Sequence, residues 1–182
     1  MGRDVAKPQG GQSTAGDLTI RPAFNSDGDA IGALIAGVFA EYPGCVYDRA
    51  REFPELDAIA DDFKASDGRI WVAVDPDNRV FGCFGIKYDA QVKEAELHKV
   101  YLHRDTRGRG MAQKLMAKAL AWLGQSHPDC TTVMLWTDTR FEAGHRFYEK
   151  CGFARTGENR ILDDLSASSE YQFRFDFGAY QK

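Results

Sequence analysis

The stretch HRDTRGRGMAQKL, residues 103–115, sets three arginines and two glycines between an apolar run and an amphipathic one. Upstream, EAELHKVYLH alternates as a strand should. Downstream, Ala112, Leu115, Met116, Ala119, Trp122 and Leu123 recur at helical offsets and predict a core-facing helix. A helix N-terminus presents N–H groups without intrahelical partners and a partial positive charge, so a strand, a glycine turn and a helix make an anion site. Gly108 and Gly110 let the backbone approach a ligand, and Arg104, Arg107 and Arg109 add charge. The spacing is not that of a dinucleotide fingerprint, which would want a third glycine where Gln113 stands, nor of a P-loop ending in Gly-Lys-Ser/Thr. Pyrophosphate is the natural guest of such a turn, in another fold.

Working outward, LTIRP reads as a first strand, and Asp27 or Asp29 can cap a helix running towards Glu41. Pro54 and Glu55 open a second helix, to about Ser66, with Leu56, Ile59, Ala60 and Phe63 at helical spacing. RIWVAVD and RVFGCFGIKYDA then form a hairpin around Asp75-Pro76-Asp77-Asn78, and EAELHKVYLH follows as a third strand. Alternation continues into it and sets Glu96, His98, Val100 and Leu102 on one face and Leu97, Lys99, Tyr101 and His103 on the other. After the central helix come a strand at TTVMLW, a short helix over 141–150 stopped by Cys151-Gly152, and strands at FARTGENRIL and EYQFRFDF. The alternating Tyr171, Phe173, Phe175 and Phe177 suit either a core face or pairing with a second copy in a homodimer. The order β-α-α-β-β-β-α-β-α-β-β implies a mixed sheet with helices on both faces.

Composition narrows the class. A chain of 182 residues suits one domain, expected over 18–182 behind a flexible tail at 1–17. A formal net charge of -4 disfavours nucleic acid as a partner. Cys45, Cys83, Cys130 and Cys151 are scattered, with neither a CxxC pair nor a histidine at ligand spacing, so no metal site or disulfide framework is expected. The first 17 residues contain no apolar signal core, and the apolar run at 30–40 is too short to cross a bilayer, so no membrane partner and a cytoplasmic location are expected.

The stretch LHKVYLHRDTRGRGMAQKLM resembles motif A of the GNAT superfamily of acyl-CoA-dependent N-acyltransferases. Its signature Arg/Gln-x-x-Gly-x-Gly/Ala is matched by Arg107-Gly108-Arg109-Gly110-Met111-Ala112. A second block, HRFYEKCGFARTG at 145–157, is similar to the family's motif B. The resemblance implies an α/β (α+β) fold with a mixed, mostly antiparallel sheet of about six or seven strands, splayed in the middle. It implies acetyl-CoA as cosubstrate, its pantetheine paired with the backbone of Val100, Tyr101 and Leu102 and its pyrophosphate on Arg107, Gly108, Arg109, Gly110, Met111 and Ala112. It implies Glu96 as the preferred general base, with His98 on the same face as the rival, and Tyr148 beside the coenzyme sulfur. Two positions depart from the pattern. Many relatives carry an asparagine where this chain has Phe141 and an alanine where it has Gly144, so that coenzyme contact is absent or comes from Thr137, Asp138 or Thr139.

The acceptor side is less specified. By resemblance the first helix, its following loop and the second helix line it, and residues 41–67 hold eight acidic and three basic side chains, which suits a cationic amine. Tyr42, Tyr47 and Phe53 would add an aromatic wall. The expected activity is direct acetyl transfer from acetyl-CoA to a primary amine on a small cationic molecule. A protein or peptide N-acetyltransferase, or a non-catalytic acetyl-CoA-binding regulatory domain, are the alternatives, and retention of both Glu96 and Tyr148 speaks against the second.

Overall fold

The computed structural model describes residues 18–181, so the expected tail at 1–17 lies outside the described residues. In chain order the elements are β1 (Thr19–Pro22), α1 (Gly28–Phe39), α2 (Arg49–Glu52), α3 (Ile59–Ala65), β2 (Gly68–Val74), β3 (Val80–Asp89), β4 (Glu94–Leu102), α4 (Met111–Ser126), β5 (Thr132–Asp138), α5 (Glu142–Lys150), β6 (Ala154–Ile161), β7 (Ser169–Asp176) and α6 (Phe177–Tyr180). The seven strands form one sheet in the order β1-β2-β3-β4-β5-β7-β6. Every neighbouring pair is antiparallel except β4 and β5, which α4 joins as a parallel crossover.

Each face of the sheet carries its own core. On one, Leu115, Met116, Ala119 and Leu123 of α4 pack on Trp71, Phe84, Ile86, Leu97, Val133 and Leu135, joined by Tyr148 and Phe173. On the other, Ile31, Leu34, Ile35 and Val38 of α1 and Phe63 of α3 cover Ile70, Val72, Val74 and Cys83. Burying apolar surface on both faces is what closes the mixed sheet. Gly85 of β3 makes the second face possible, because a Cβ there would stand 2.3 Å from the Phe63 ring.

Several local expectations change. The second helix is broken: residues Pro54–Ala58 form a 3-10 turn before α3 begins, because Ala58 sits at ψ 48°, outside helical geometry. Arg49–Glu52 forms a short helix whose N-cap Asp48 accepts from the Arg51 N–H at 3.0 Å. Asp27 precedes α1 but makes no side-chain cap to it. Its carboxylate instead accepts from the Phe24 N–H at 2.7 Å and from both Arg21 nitrogens at 2.7 and 2.9 Å. Phe177 starts α6 rather than extending the last strand. β7 lies between β5 and β6, so its aromatic side chains serve the core and the strand has no free edge for a second copy.

The correction with most consequence falls in β4. Cys83 pairs with Tyr101 and Gly85 with His98, so Lys99 and Val100 together oppose Phe84. Lys99 takes φ 53°, and the strand bulges there. Alternation is reset: Val100 and Leu102 join the face of Ala95 and Leu97, while Tyr101 packs on the face that carries Phe63, to which His98 presents its ring. Two residues before the bulge β4 also leaves β5, since their pairing ends at Leu97 with Leu135. The sheet is splayed from that point.

Candidate active site

The glycine turn forms as its sequence requires. After β4, residues Arg104–Thr106 make a 3-10 turn, and buried Thr106 ties it by donating from Oγ1 to the His103 carbonyl at 2.7 Å. Gly108 at φ 73° and Gly110 at φ 77° then take left-handed geometry that a side chain would strain, and Gly110 caps α4. No atom lies within 4 Å of where a Cβ on either would be, so the space over the turn is open. The first N–H groups of the 16-residue α4, which starts at this turn, have no intrahelical partners.

A cavity of about 510 Å³ runs from this turn along the splay, lined by Val100, Leu102, Arg107, Gly108, Gly110, Met111 and Ala112 on one side and by Phe147, Tyr148 and Lys150 of α5 on the other. A second cavity, of about 460 Å³, opens on the face of α1 and is lined by Glu96, His98, Tyr101, Trp136 and Glu170 among others. Val100, Thr137, Phe141 and Tyr148 line both, so the two cavities meet in the gap between β4 and β5.

The structure brings most of the expected residues together at this junction. Glu96 and His98 share the second cavity, with the carboxylate 3.8 Å from the imidazole Nε2, too far for a hydrogen bond. Burial raises the Glu96 carboxyl above its ordinary value, Glu170 adding to this while Arg160 and Lys87 oppose it. Burial lowers His98 to about 4, and Lys87, Lys99 and Arg160 press the same way, so the imidazole is neutral at physiological pH. Tyr148 is 6% exposed, wedged among Phe147, Phe153 and Phe173, and burial raises its phenol well above the usual range. It therefore keeps its proton and can only donate or accept hydrogen bonds.

Two expected residues stand apart. Tyr101 lines the second cavity and not the first, because the bulge turned it over. Arg109 is exposed and does not line the first cavity, and the Arg107 side chain grips Glu41.

The wall of the second cavity was mostly missed. The acidic residues of 41–67 are largely engaged: Asp57 with Arg49 at 2.8 Å, Glu55 with Lys99 at 2.5 Å, Asp62 with Lys87 at 2.8 Å and Glu41 with Arg107. Of that segment Glu52 lines the cavity, beside Asp163 and Asp164 from the β6–β7 loop, a stretch whose sequence carries no motif. Of the proposed aromatic wall, Phe53 lines it and Tyr47 stacks behind at 5.3 Å, while Tyr42 sits in the other cavity. Phe141, standing where relatives carry asparagine, packs against Phe39 at 6.1 Å and Tyr42 at 4.6 Å and partitions the two cavities. Asp138 is taken by Arg140, whose hydrogen bonds outweigh burial and hold its carboxyl low, which leaves Thr137 as the hydroxyl at the junction.

None of the four cysteines lines either cavity. Burial raises all of them, Cys83 to about 12 and Cys130 to about 11, so none is a thiolate at neutral pH. Among the described residues no group of three or more His, Cys, Asp or Glu could hold a metal ion, and no helix is long and apolar enough to cross a membrane.

Comparison with known proteins agrees with this architecture. The family model described as acetyltransferase (GNAT) family matches residues 33–153. No curated protein matches the sequence. Among solved structures, a GNAT-family acetyltransferase from Staphylococcus aureus Mu50 superposes with a TM-score of 0.74 at 17% identity, over 88% of this chain and 99% of its own. An acetyltransferase from Streptococcus agalactiae 2603 gives a TM-score of 0.72 at 18% identity, over 87% of this chain and 98% of its own. A spermidine N-acetyltransferase chimera from Vibrio cholerae and hSSAT gives 0.66 at 17% identity, over 90% of this chain and 97% of its own. At these identities the likeness is one of fold.

Proposed function

Because this chain belongs to the acetyltransferase (GNAT) family, we propose that it transfers an acetyl group from acetyl-CoA directly to a primary amine on a small cationic molecule. The observation that carries this reading is the junction in the splayed sheet. A cavity headed by a glycine turn and a helix N-terminus meets a cavity holding a half-buried carboxylate, and Tyr148 stands where they join.

The parts divide the work as acyl transfer requires. The turn at 107–112 offers backbone N–H groups to the pyrophosphate of CoA. Beyond Leu97 the β4 backbone is released from β5, so Val100, Tyr101 and Leu102 can pair with the pantetheine arm and direct an N–H at the thioester carbonyl. Tyr148, neutral and buried, donates a hydrogen bond to the departing sulfur. Glu96, its proton affinity raised by burial, takes the proton from the attacking amine, directly or through water. His98 is too weak a base for that task at a value near 4 and stands beside Glu96 as a neutral imidazole. The absence of any cysteine from either cavity supports transfer without an acyl-enzyme.

Glu52, Glu96, Asp138, Asp163, Asp164 and Glu170 line the outer cavity against Arg51, Lys99 and Arg160, and this excess of carboxylates supports a cationic acceptor. Tyr42, Val100 and Phe141 divide the two ligands' spaces. The reading takes residues 18–182 as one cytoplasmic domain whose partners are small molecules. Its test is release of free thiol from acetyl-CoA in the presence of amino acids, polyamines, aminoglycosides or short peptides, against an enzyme-only control. Acceptor-dependent release by a cationic amine is expected. Release only with neutral peptides would overturn the acceptor class, and failure to bind the coenzyme would overturn the reading itself.

A further inference from the structure

Arg107 opens the glycine motif, yet its side chain points to a different task. Nη1 and Nη2 donate to the two Glu41 oxygens at 2.5 and 2.9 Å, and Nη2 donates also to the Leu102 carbonyl at 3.2 Å. A guanidinium held in a two-pronged grip has its direction fixed and its charge compensated. Glu41 lies in the turn that ends α1, where its N–H donates to the Val38 carbonyl at 3.1 Å. The next residue, Tyr42, lines the coenzyme-side cavity and packs on Phe141, while Phe39 one turn back lines the acceptor-side cavity. Further on, the Val46 N–H donates to Ser166 of the β6–β7 loop at 2.8 Å. One ion pair thus joins the glycine turn and the end of β4 to the end of α1, where Phe39 lines one cavity and Tyr42 the other.

We propose that Glu41 is a positioning residue: it holds the Arg107 guanidinium off the coenzyme phosphates and uses it to fasten the 41–48 segment, whose Tyr42 lines the coenzyme-side cavity. The proposal rests on the reading that the glycine turn receives a CoA pyrophosphate. The anion is then held by the backbone N–H groups of the turn, and the arginine charge is withheld from it. Neutralising Glu41 therefore changes two properties in opposite directions. The freed guanidinium strengthens coenzyme binding, while the segment it had fastened loosens. A merely structural ion pair, once lost, would weaken binding or leave it unchanged.

The test compares the full-length wild type with Glu41→Gln, which keeps the side-chain volume. Coenzyme A affinity is measured by calorimetric titration at low and high salt, and amide hydrogen exchange is followed over residues 41–48. The Kd for coenzyme A should fall about two- to fivefold, the size of a half-exposed charge pair, and should become more sensitive to salt. Exchange at 41–48 should quicken. Unchanged or weaker coenzyme A binding overturns the proposal, and so does tighter binding with unchanged exchange. If Glu41→Gln does not fold, Glu41→Asp draws the carboxylate back by one methylene and is read for the same two signs. A wild type that binds no coenzyme A would overturn the proposed function and this inference with it; a wild type that binds, with a variant that binds no tighter, overturns the inference alone.

Discussion

Glu96 and His98 are two residues apart on β4 and were legible in the sequence as sharing a face; which of them is the better base was not. The difference comes from surroundings that only folding assembles. Burial depresses the imidazole most, and Lys87 on β3, Lys99 at the bulge and Arg160 on β6 depress it further, whereas burial favours the protonated carboxyl. Turnover should therefore rise with pH through a carboxyl group titrating above its ordinary value, since the base must be unprotonated to accept the amine's proton. Glu96→Gln should lower kcat by about 10²-fold and abolish that acid limb, whereas an unchanged pH profile would remove Glu96 from the chemistry. Tyr148→Phe should lower kcat by about tenfold or more with little change in acceptor KM, because the lost hydrogen bond serves the departing sulfur as charge develops on it. Equal turnover would mean that the ring only packs against Phe153 and Phe173.

At the scale of elements, periodicity located the strands and helices but not where a period slips. The bulge at Lys99 adds one residue against Phe84, and an extra residue moves every later side chain to the other face. Nothing in EAELHKVYLH marks it, because Lys99, Val100 and Tyr101 satisfy either register as partly buried residues. Its consequence is functional: it puts Val100 at the junction of the cavities, on the stretch of β4 that has parted from β5. Gly85, opposite His98, keeps that region close-packed by leaving room for Phe63. Gly85→Ala should cost about 1–3 kcal/mol by overpacking and lower the melting temperature, with its effect on activity appearing through the displaced His98. A variant that melts with the wild type would show that the Phe63 ring moves aside freely.

For the whole molecule, burial of ionisable groups between the sheet and its helices makes stability depend on alkaline pH. Cys83 is raised to about 12 and Tyr148 is raised beyond the usual phenol range, both by burial in the core. Above the ordinary thiol value the unfolded chain releases protons that the native chain keeps, so unfolding becomes easier as pH rises. The loss should run at up to about 1.4 kcal/mol per pH unit for each such group, from about pH 9 upwards for Cys83 and from about pH 10 for Tyr148. Cys83→Ala should flatten the first part of that decline in denaturant titrations made from pH 8 to 11. A decline of unaltered slope would show that Cys83 does not contribute.

What the sequence by itself determined is the set of features encoded in adjacent residues. The glycine turn, the helix that follows it, the hairpin and the order of elements depend on local backbone preference and hydrophobic period, and the two motif blocks carried the family. Only the tertiary structure decided what distant segments do to one another. It placed β7 inside the sheet, paired off the acidic residues of 41–67, brought the β6–β7 loop to the acceptor cavity, and gave the Arg107 side chain to Glu41, 66 residues away. The reason is physical: local preference acts within a few residues of chain, whereas charge pairing, burial and proton affinity depend on distances in space that the whole fold sets.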